Sequence, residues 1–242
     1  MLDVLPHRGD GATRPAGLPL PPGRMPLLRG GRPLKRWRYV GVYGPEALAC
    51  FGVVRIAALR QVFWAVWDRE RRELSERTGF RRGGIVVDHG RVHVPGVAEL
   101  LLEATGEAVE VVSRHGAEYI WTRKQPARAR GSLIAGGRTL AVDAAALIDD
   151  SAGYHARETA WDWCAGVGTA VDGTALAWNL VTGVHDAPRG SERTVWAAGA
   201  PREVGPVRFA PDLSGSPSPR TARRWTSTPK RSAPAATTSR CS

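Results

Sequence analysis

Short apolar segments separated by turn residues recur along most of this chain, and no other feature constrains its fold as strongly. Between Tyr39 and Phe209 these segments are rich in β-branched and aromatic residues and recur about every 8–12 residues, as in all-β proteins. Glycine, aspartate and proline lie between them. Helical periodicity is confined to one short, highly charged segment, Arg69 to Arg77. The sequence therefore predicts an all-β protein with antiparallel strands, built as a barrel or a sandwich.

The turn residues also predict how neighbouring strands pair. The predicted strand segments are 39–43, 49–56, 61–68, 84–94 (a hairpin), 100–104, 108–113, 119–124, 131–135, 139–142, 160–168, 175–181, 194–198 and 206–209. Turns at 88–90, 136–137 and 172–173 combine Asp with Gly or Gly with Gly, which is typical of tight hairpins. We expect a further hairpin at 105–106, which would pair 100–104 with 108–113.

Composition divides the chain into four parts. Residues 1–38 are rich in Pro, Gly and Arg and are expected to form an extended lead-in along the outside of a folded body. Residues 39–145 are predicted to form a first β-sheet unit, and residues 146–213 a second, incomplete one. Residues 214–242 contain no acidic residue and no Val, Ile, Leu or Phe, which predicts a disordered basic tail. Its composition favours a reading-frame shift in the coding DNA over a native tail.

The net charge of +11 is concentrated at the two ends of the chain. The first 38 residues carry +6 and the last 29 residues carry +6, so residues 39–213 carry −1. Without a basic stripe on the folding part, we predict no nucleic-acid partner. No apolar run approaches the length of about 20 residues that crosses a membrane, and no secretory signal is recognisable. We therefore expect a cytoplasmic protein with no transmembrane segment.

Four of the nine tryptophans and the only asparagine lie in residues 149–196. Alternation along a strand puts Trp161 and Trp163 on one face, and it puts Trp178 and Asn179 on opposite faces of the next strand. This pattern predicts an aromatic-walled pocket for an apolar ligand, with a filled tryptophan core as the alternative. Asn179 is expected either to bind the ligand or to satisfy a buried backbone group.

A second aromatic strand carries Trp121 and Arg123 on one face. An inward Arg123 would meet an anionic head group or stack on an indole ring, and an outward Arg123 is the favoured alternative. We also place Arg157 among the ligand-binding candidates, as a cation on the loop before Trp161.

Two predicted loops carry candidate acid–base groups. Asp150 and His155 lie on the first loop, and His185 and Asp186 lie on the second. Both loops flank the same pair of strands and are expected to converge at one barrel mouth, where a histidine oriented by an aspartate transfers protons. The alternative is that these residues only order their loops.

Common cofactor motifs are missing from the sequence. There is no phosphate-binding glycine loop with its lysine and no nucleophile elbow. His89 and His93 lie on a predicted hairpin without further ligands nearby. We therefore predict no metal, no nucleotide and no other cofactor.

Five segments carry a family resemblance: LPLPPGRMPLLRGGRPLKRWRYVGVYGPE (18–46), YIWTRKQ (119–125), IDDSAGYHARETAWDWCAGVG (148–168), AWNLVTGVHDAP (177–188) and SERTVW (191–196). In this order they resemble the bacterial family known as domain of unknown function 2804, from about Leu18 to Leu213. That family has no established activity, so the resemblance implies relatives and no reaction.

A weaker similarity concerns the Asp pair, the Trp-x-Trp strand and the strand that follows its glycine turn. This arrangement is similar to lipocalin-like families that include carotenoid hydratases and tocopherol cyclases, which are β-barrel proteins acting on hydrophobic terpenoids. The similarity implies a lipocalin-like barrel.

Three functions stay open. The first is a module that binds a hydrophobic small molecule, such as a lipid or isoprenoid, in an aromatic-lined cavity. The second is an isomerase, hydratase or cyclase acting on a similar substrate. The third is a structural or interaction protein with a filled core. Packed tryptophan faces without a cavity of roughly 300 Å³ or more would exclude the first two functions.

Overall fold

The computed structural model describes residues 2–80 and 84–210 and the backbone of residues 236–241. In these residues a short 3-10 helix, Leu2–Val4, precedes eighteen β-strands, and there is no α-helix. The strands are β1 His7–Gly9, β2 Leu28–Arg29, β3 Arg32–Pro33, β4 Lys35–Tyr43, β5 Ala47–Ile56, β6 Leu59–Asp68, β7 Glu73–Gly79, β8 Val86–Val87, β9 Arg91–Val94, β10 Ala98–Ala104, β11 Val109–His115, β12 Glu118–Ala135, β13 Arg138–Gly153, β14 Trp161–Thr169, β15 Ala175–Thr182, β16 Thr194–Ala197, β17 Ala200–Glu203 and β18 Ala236–Cys241.

The strands form two main sheets. The first sheet has eleven strands in the order β7-β6-β5-β4-β13-β12-β10-β9-β8, and β11 and β1 continue from the other half of β12. The second sheet has the order β17-β16-β15-β14-β18, and β2 and β3 form a separate hairpin. Neighbouring strands run antiparallel throughout. The prediction of an all-β, antiparallel protein with two sheet units is confirmed.

The long hairpin of β12 and β13 organises the first sheet. β11 pairs with the first half of β12, and β10 pairs with the second half. The predicted pairing of 100–104 with 108–113 is therefore wrong, because each of these strands takes a different part of β12 as its partner. Residues 148–153, which we expected in a loop, form the end of β13 and pair with β12 and β4.

The first sheet curls strongly, so that β8 at one edge lies against β4 and β5. We call the enclosed face the inner face; it carries a core that includes Val40, Phe51, Leu100, Ala129 and Ile148. Among the described residues, no backbone ladder joins β7 to β8. The sheet is thus curled but open, and it is not a closed barrel.

The opposite, outer face of the first sheet packs against the second sheet. Tyr43, Val109 and Leu147 meet Trp163 and Trp196 in one buried apolar cluster. Tyr39 also contacts Trp163 edge to face, with 5.4 Å between ring centroids. The predicted tryptophan strand therefore contributes to the packing between the sheets.

The lead-in packs along the open end of the inner face. Leu18, Leu20 and Met25 are buried against Tyr119 and Tyr154. The hydroxyls of both tyrosines donate hydrogen bonds to lead-in carbonyls, at 2.7 Å and 2.9 Å. Residues 18–26, which belong to no strand, are held here by side-chain burial, by these two bonds and by a bond from Arg14 Nη1 to the Pro21 carbonyl at 2.6 Å.

The predicted tight turns agree with the structure. Asp88 Oδ1 accepts hydrogen bonds from the backbone N–H groups of Gly90 and Arg91, and the strands on either side pair as β8 and β9. Asp172 closes the turn between β14 and β15 in the same manner, through Thr174 N–H. The turn at 136–137 joins β12 to β13.

Two further secondary-structure predictions are wrong. The segment 69–77 is a turn followed by β7, which pairs with β6. Its charges are those of an exposed edge strand, where charged residues discourage pairing with another chain. Residues 206–209 form no strand, and β17 ends at Glu203.

Two of the predicted unit boundaries, 145/146 and 213/214, can be compared with the structure. Residues 145 and 146 are consecutive in β13, and the ladder with β12 continues on both sides of them. The division into folding units stays a prediction. Of the predicted basic tail, residues 214–235 and 242 lie outside the described residues, and residues 236–241 pair with β14 as β18.

Adjacent leucines of β10 test the assignment of the inner face. Leu100 is fully buried and Leu101 is 66% exposed. We expect Leu100→Ala to lower the free energy of unfolding by about 2–5 kcal/mol, because it leaves a cavity in the core. Urea titration followed by circular dichroism measures this change. Leu101→Ala is the control, with an expected change within about 0.5 kcal/mol, and equal losses for the two variants would contradict the assignment.

Candidate functional site

An open cleft of about 710 Å³ lies at the end of the inner face, beyond the apolar core. We call it the arginine cleft. Its ionisable wall residues are Arg14, Arg36, Arg38, Arg55, Arg123, His89, Glu110 and Asp150. With histidine neutral, the five arginines and two carboxylates give the wall a charge of +3.

Strand register builds the arginine cleft. Arg123 of β12, Asp150 of β13 and Arg38 of β4 occupy paired positions, so their side chains lie next to one another on the inner face. Alternate residues of a strand share a face, which places Arg36 beside Arg38 and on the same side as Val40 of the core. A continuous row of polar side chains therefore follows directly after the apolar core.

Asp150 is held by an arginine and lies near a histidine. Arg38 Nε donates to Asp150 Oδ1 at 2.5 Å, and Arg38 Nη2 donates to His89 Nε2 at 2.7 Å. Burial, and then the charge of Arg38, lower the pKa of His89, so a neutral ring accepts this bond. Asp150 Oδ2 is buried without a hydrogen-bond partner, 3.7 Å from His89 Nε2. The cleft thus contains one carboxylate oxygen that is free to accept a hydrogen bond.

Glu110 fastens the lead-in across the cleft. Arg14 donates to both carboxylate oxygens, at 3.0 Å and 2.6 Å, in a bidentate pair. The indole N–H of Trp121 donates to the same carboxylate at 3.1 Å. These bonds neutralise Glu110 and orient Trp121 in the wall.

Two other arginines have donors without acceptors. Arg123 Nη2 donates to Gln125 at 2.7 Å, but its Nη1 is buried without a hydrogen-bond partner. Arg36 Nε is also buried without a partner. Buried guanidinium donors that lack an acceptor are costly, and an anion in the cleft would satisfy them.

A second polar group is buried between the two sheets. We call Lys124, Asp149 and Glu192 the buried ion cluster. Lys124 Nζ donates to Asp149 Oδ1 at 2.5 Å and lies 3.4 Å from Glu192 Oε2. Thr122 Oγ1 and Asn179 Nδ2 also donate to the Glu192 carboxylate, at 2.9 Å and 3.4 Å. Two carboxylates therefore share one ammonium group away from solvent.

Burial and charge determine which cluster member titrates. Burial raises the pKa of Asp149 to about 7, although Lys124 opposes this. Burial also acts to raise the pKa of Glu192, but Lys124 and hydrogen bonds outweigh it, so the net shift is downward. For Lys124, burial lowers the pKa and the two carboxylates raise it by more. Lys124 thus contacts both carboxylates, and of the two Asp149 is the one that takes up a proton near neutral pH.

Asn179 joins the second sheet to this cluster. Its amide oxygen accepts a hydrogen bond from Trp163 Nε1 at 2.8 Å, and its Nδ2 donates to the Glu192 carbonyl at 3.1 Å. The side chain is fully buried. Of the two roles expected for Asn179, the contacts are those of a residue that satisfies a buried backbone group.

Two predicted catalytic histidines are buried and neutral. Burial lowers the pKa of His155 to about 3 and that of His185 to about 4. The ring of His155 lies 4.8 Å from that of Trp37. His185 Nδ1 is hydrogen-bonded to Ser113, and its Nε2 has no partner.

The structure distributes the predicted site residues over several places. Trp121, Arg123 and Asp150 lie in the arginine cleft. Trp163, Asn179 and His185 lie between the sheets, where Asn179 and His185 border the buried ion cluster.

Trp161 stacks on Trp37, and Trp178 on the opposite face of its strand donates to Cys164 Sγ at 3.4 Å. Arg157 is exposed. Asp186 accepts from Gly183 N–H at 2.8 Å and so orders its own loop, while Ser113 rather than Asp186 binds the His185 ring.

The sequence analysis missed most of the arginine cleft. The predicted lead-in includes Arg36 and Arg38, although Arg36 to Tyr39 alternates arginine with an aromatic residue, as a strand does. Extending the predicted strand back to Lys35 would have placed both arginines on the face of Val40. Glu110 carried no comparable signal, because its partner Arg14 lies 96 residues away.

Two absences apply to the described part of the chain. It contains no cluster of His, Cys, Asp or Glu side chains suited to a metal ion. None of its helices is long and apolar enough to cross a membrane.

Comparison with known proteins identifies a family. The family described as Domain of unknown function (DUF2804) matches residues 85–232. This confirms the resemblance predicted from the sequence, although the matched range begins and ends later than expected. No curated protein matches the chain.

Two solved structures are similar to the chain. One is a protein assigned as AttH from Nitrosomonas europaea, with 14% identity, a TM-score of 0.48 and coverage of 85% of this chain and 81% of that chain. The other is kievitone hydratase from Nectria haematococca, with 13% identity, a TM-score of 0.39 and coverage of 75% and 69%. Both likenesses are too remote to assign a site.

The buried ion cluster predicts a large effect of removing its cation. Lys124→Met leaves the buried Glu192 carboxylate, and Asp149 where it is ionised, without a counter-charge, so the free energy of unfolding should fall by about 3–5 kcal/mol at neutral pH. Arg128→Met is the matched control, because Arg128 lies on the same strand and pairs with Asp143 on the surface. Urea unfolding should leave this control nearly unchanged, and similar losses in both variants would contradict the cluster.

His155 predicts a pH dependence of stability. The folded protein keeps the ring neutral down to about pH 3, whereas the unfolded chain protonates it below about 6.5. Unfolding therefore takes up a proton between these values, and stability falls as the pH falls. Relative to the wild type, His155→Phe should gain up to about 4 kcal/mol between pH 7 and pH 3. Unfolding curves measured across this range should diverge; parallel pH profiles would show that His155 is not buried as described.

Proposed function

The chain belongs to the family described as Domain of unknown function (DUF2804); because that description names no reaction, we propose from the geometry of the arginine cleft that the protein binds a small amphipathic anion there. The ligand would have an oxyanion head, such as a carboxylate, and an apolar body. This proposal keeps the hydrophobic small molecule expected from the sequence and adds a charged group to it.

The unsatisfied donors of the cleft carry the proposal. Arg36 Nε and Arg123 Nη1 are buried without acceptors, and the wall around them has a charge of +3. A guanidinium group presents N–H donors in a planar fork that matches the two oxygens of a carboxylate. Such an anion would supply the missing acceptors and would offset the positive charge.

The two carboxylates of the cleft do not serve as acceptors for the unpaired guanidinium donors. Glu110 is engaged by Arg14, and Asp150 is engaged by Arg38. Arg36, Arg55 and Arg123 therefore supply the charge that remains. The free Oδ2 of Asp150 would accept a hydrogen bond from a hydroxyl group of the ligand.

The rest of the wall suits an apolar body. Trp121, Val53, Val87 and the pair Pro21-Pro22 line the cleft together with the arginines. Its volume of about 710 Å³ is in the range of small-molecule sites. The hydrophobic part of a ligand would contact these side chains, with Trp121 providing the largest apolar surface.

The tryptophans expected to line the ligand cavity are arranged differently. Trp163 packs against Tyr39, and Trp161 stacks on Trp37. These contacts support a packing role for the tryptophan strand and leave Trp121 and Arg123 as the ligand-binding candidates that border open space. Of the four predicted acid–base residues, Asp150 alone lines the cleft, so we propose binding rather than turnover.

Isothermal titration calorimetry with decanoate tests the proposed function. Decanoate should bind the wild-type protein, and Arg123→Gln should weaken binding by about 10- to 100-fold, because it removes a charge-assisted hydrogen bond. Decanol, which has the same chain length and no charge, should bind at least about 10-fold more weakly than decanoate.

Arg128→Gln serves as the matched control for this titration. Arg128 lies on the same strand as Arg123 but is exposed and paired with Asp143, outside the cleft. It should bind decanoate as the wild type does. Equal affinities for decanoate and decanol, or equal losses in the two arginine variants, would rule out the proposed function.

A further inference from the structure

Four large apolar side chains are exposed close to the arginine cleft. Leu27 and Leu28 are 66% and 64% exposed, Leu59 is 72% exposed and Ile56 is 37% exposed. Leu27 and Leu28 lie at the start of the β2–β3 hairpin, and Ile56 and Leu59 flank the turn between β5 and β6. We call these four residues the leucine rim.

Backbone hydrogen bonds hold the two turns of the leucine rim together. Leu34 N–H donates to the Leu27 carbonyl at 2.8 Å, and Ala57 N–H donates to the Leu34 carbonyl at 3.1 Å. A groove of about 490 Å³ lies between the turns, with Leu27, Leu34 and Ala57 in its wall. The two turns that carry the four apolar side chains therefore lie next to each other, and Leu27 lines the groove between them.

The charge of this groove is entirely positive. Its wall contains Arg24, Arg36 and Arg55 and no acidic residue. Exposed leucines next to arginines suit the boundary between lipid head groups and acyl chains, where the apolar side chains insert and the cations meet anionic head groups. The surface is thus complementary in both respects to an anionic membrane.

The groove is also continuous with the arginine cleft. Arg36 and Arg55 line both of them. An anionic molecule that moved from the leucine rim to the cleft would stay in contact with arginine side chains. The groove and the cleft therefore adjoin at these two arginines.

We propose that the leucine rim docks the protein on an anionic lipid surface and that the arginine cleft exchanges amphipathic anions with that surface; this rests on the proposed function of the cleft. Docking is peripheral: Leu28 and Leu59 enter the head-group boundary, and the neighbouring arginines contact lipid phosphates or carboxylates. Membrane contact would spare an amphiphile from crossing water on its way to the cleft.

Co-sedimentation with lipid vesicles tests the docking surface. The wild-type protein should sediment with vesicles of phosphatidylcholine and phosphatidylserine and should stay in solution with phosphatidylcholine alone. Leu28→Asp and Leu59→Asp should each lower the binding to anionic vesicles by about 10-fold or more, because each places a charge at the head-group boundary. Leu101→Asp is the matched control, since Leu101 is 66% exposed on β10 and lines neither the groove nor the cleft.

Titration with decanoate separates the two proposals. Leu28→Asp and Leu59→Asp should bind decanoate in solution as the wild type does.

If the wild type binds decanoate and does not bind anionic vesicles, or if Leu101→Asp loses vesicle binding equally, the docking proposal is overturned and the cleft proposal stands. If the leucine rim instead joins two protein chains, size-exclusion chromatography will show a dimer that Leu59→Asp dissociates, which also overturns docking on lipid. Vesicle binding without decanoate binding would refute the proposed function of the cleft.

Discussion

Sixteen consecutive residue pairs join β12 to β13, from Ile120 with Gly153 to Ala135 with Arg138, and this ladder positions both polar sites of the molecule. The strands β4, β10 and β11 each pair with one of its two members. The strands approach closely at the end of the ladder, where a Cβ atom on Gly153 would lie 2.6 Å from Ile120 Cα. Because that neighbour is backbone, it has little room to move, and glycine suits the position.

The two faces of this ladder place similar charges in different surroundings. Arg123 and Asp150 point to the inner face and border the open cleft, whereas their sequence neighbours Lys124 and Asp149 point to the outer face and are buried by the second sheet. Between the sheets, burial raises the pKa of Asp149 to about 7. The ammonium group of Lys124 supplies the positive charge that both Asp149 and Glu192 contact. In the cleft, solvent and a ligand can reach the guanidinium groups, so the positive charge is available for binding.

Local patterns made part of the fold predictable. Asp88 and Asp172 accept the backbone hydrogen bonds that close their turns, and this chemistry is contained in a few consecutive residues. The partner of β10 was not predictable in this way, because β10 pairs with the second half of β12 and the whole of β11 lies between them in the chain. For the same reason the bond from Arg14 to Glu110, which closes one wall of the cleft, left no sign in the sequence. The charged segment that ends in β7 was mistaken for a helix because exposed edge strands and short helices both tolerate charge.

The sequence by itself determined that the chain is all-β and which side chains share a face, since alternation along a strand needs no knowledge of its partners. It thus grouped Trp121 with Arg123 and Trp161 with Trp163. Only the tertiary structure decided which of these faces stays open and which becomes packed. The first sheet covers the face of Trp163, and the curl of the first sheet leaves space beside Trp121. Burial of a face depends on strands that arrive from distant parts of the chain, and the pattern within a single strand contains no information about them.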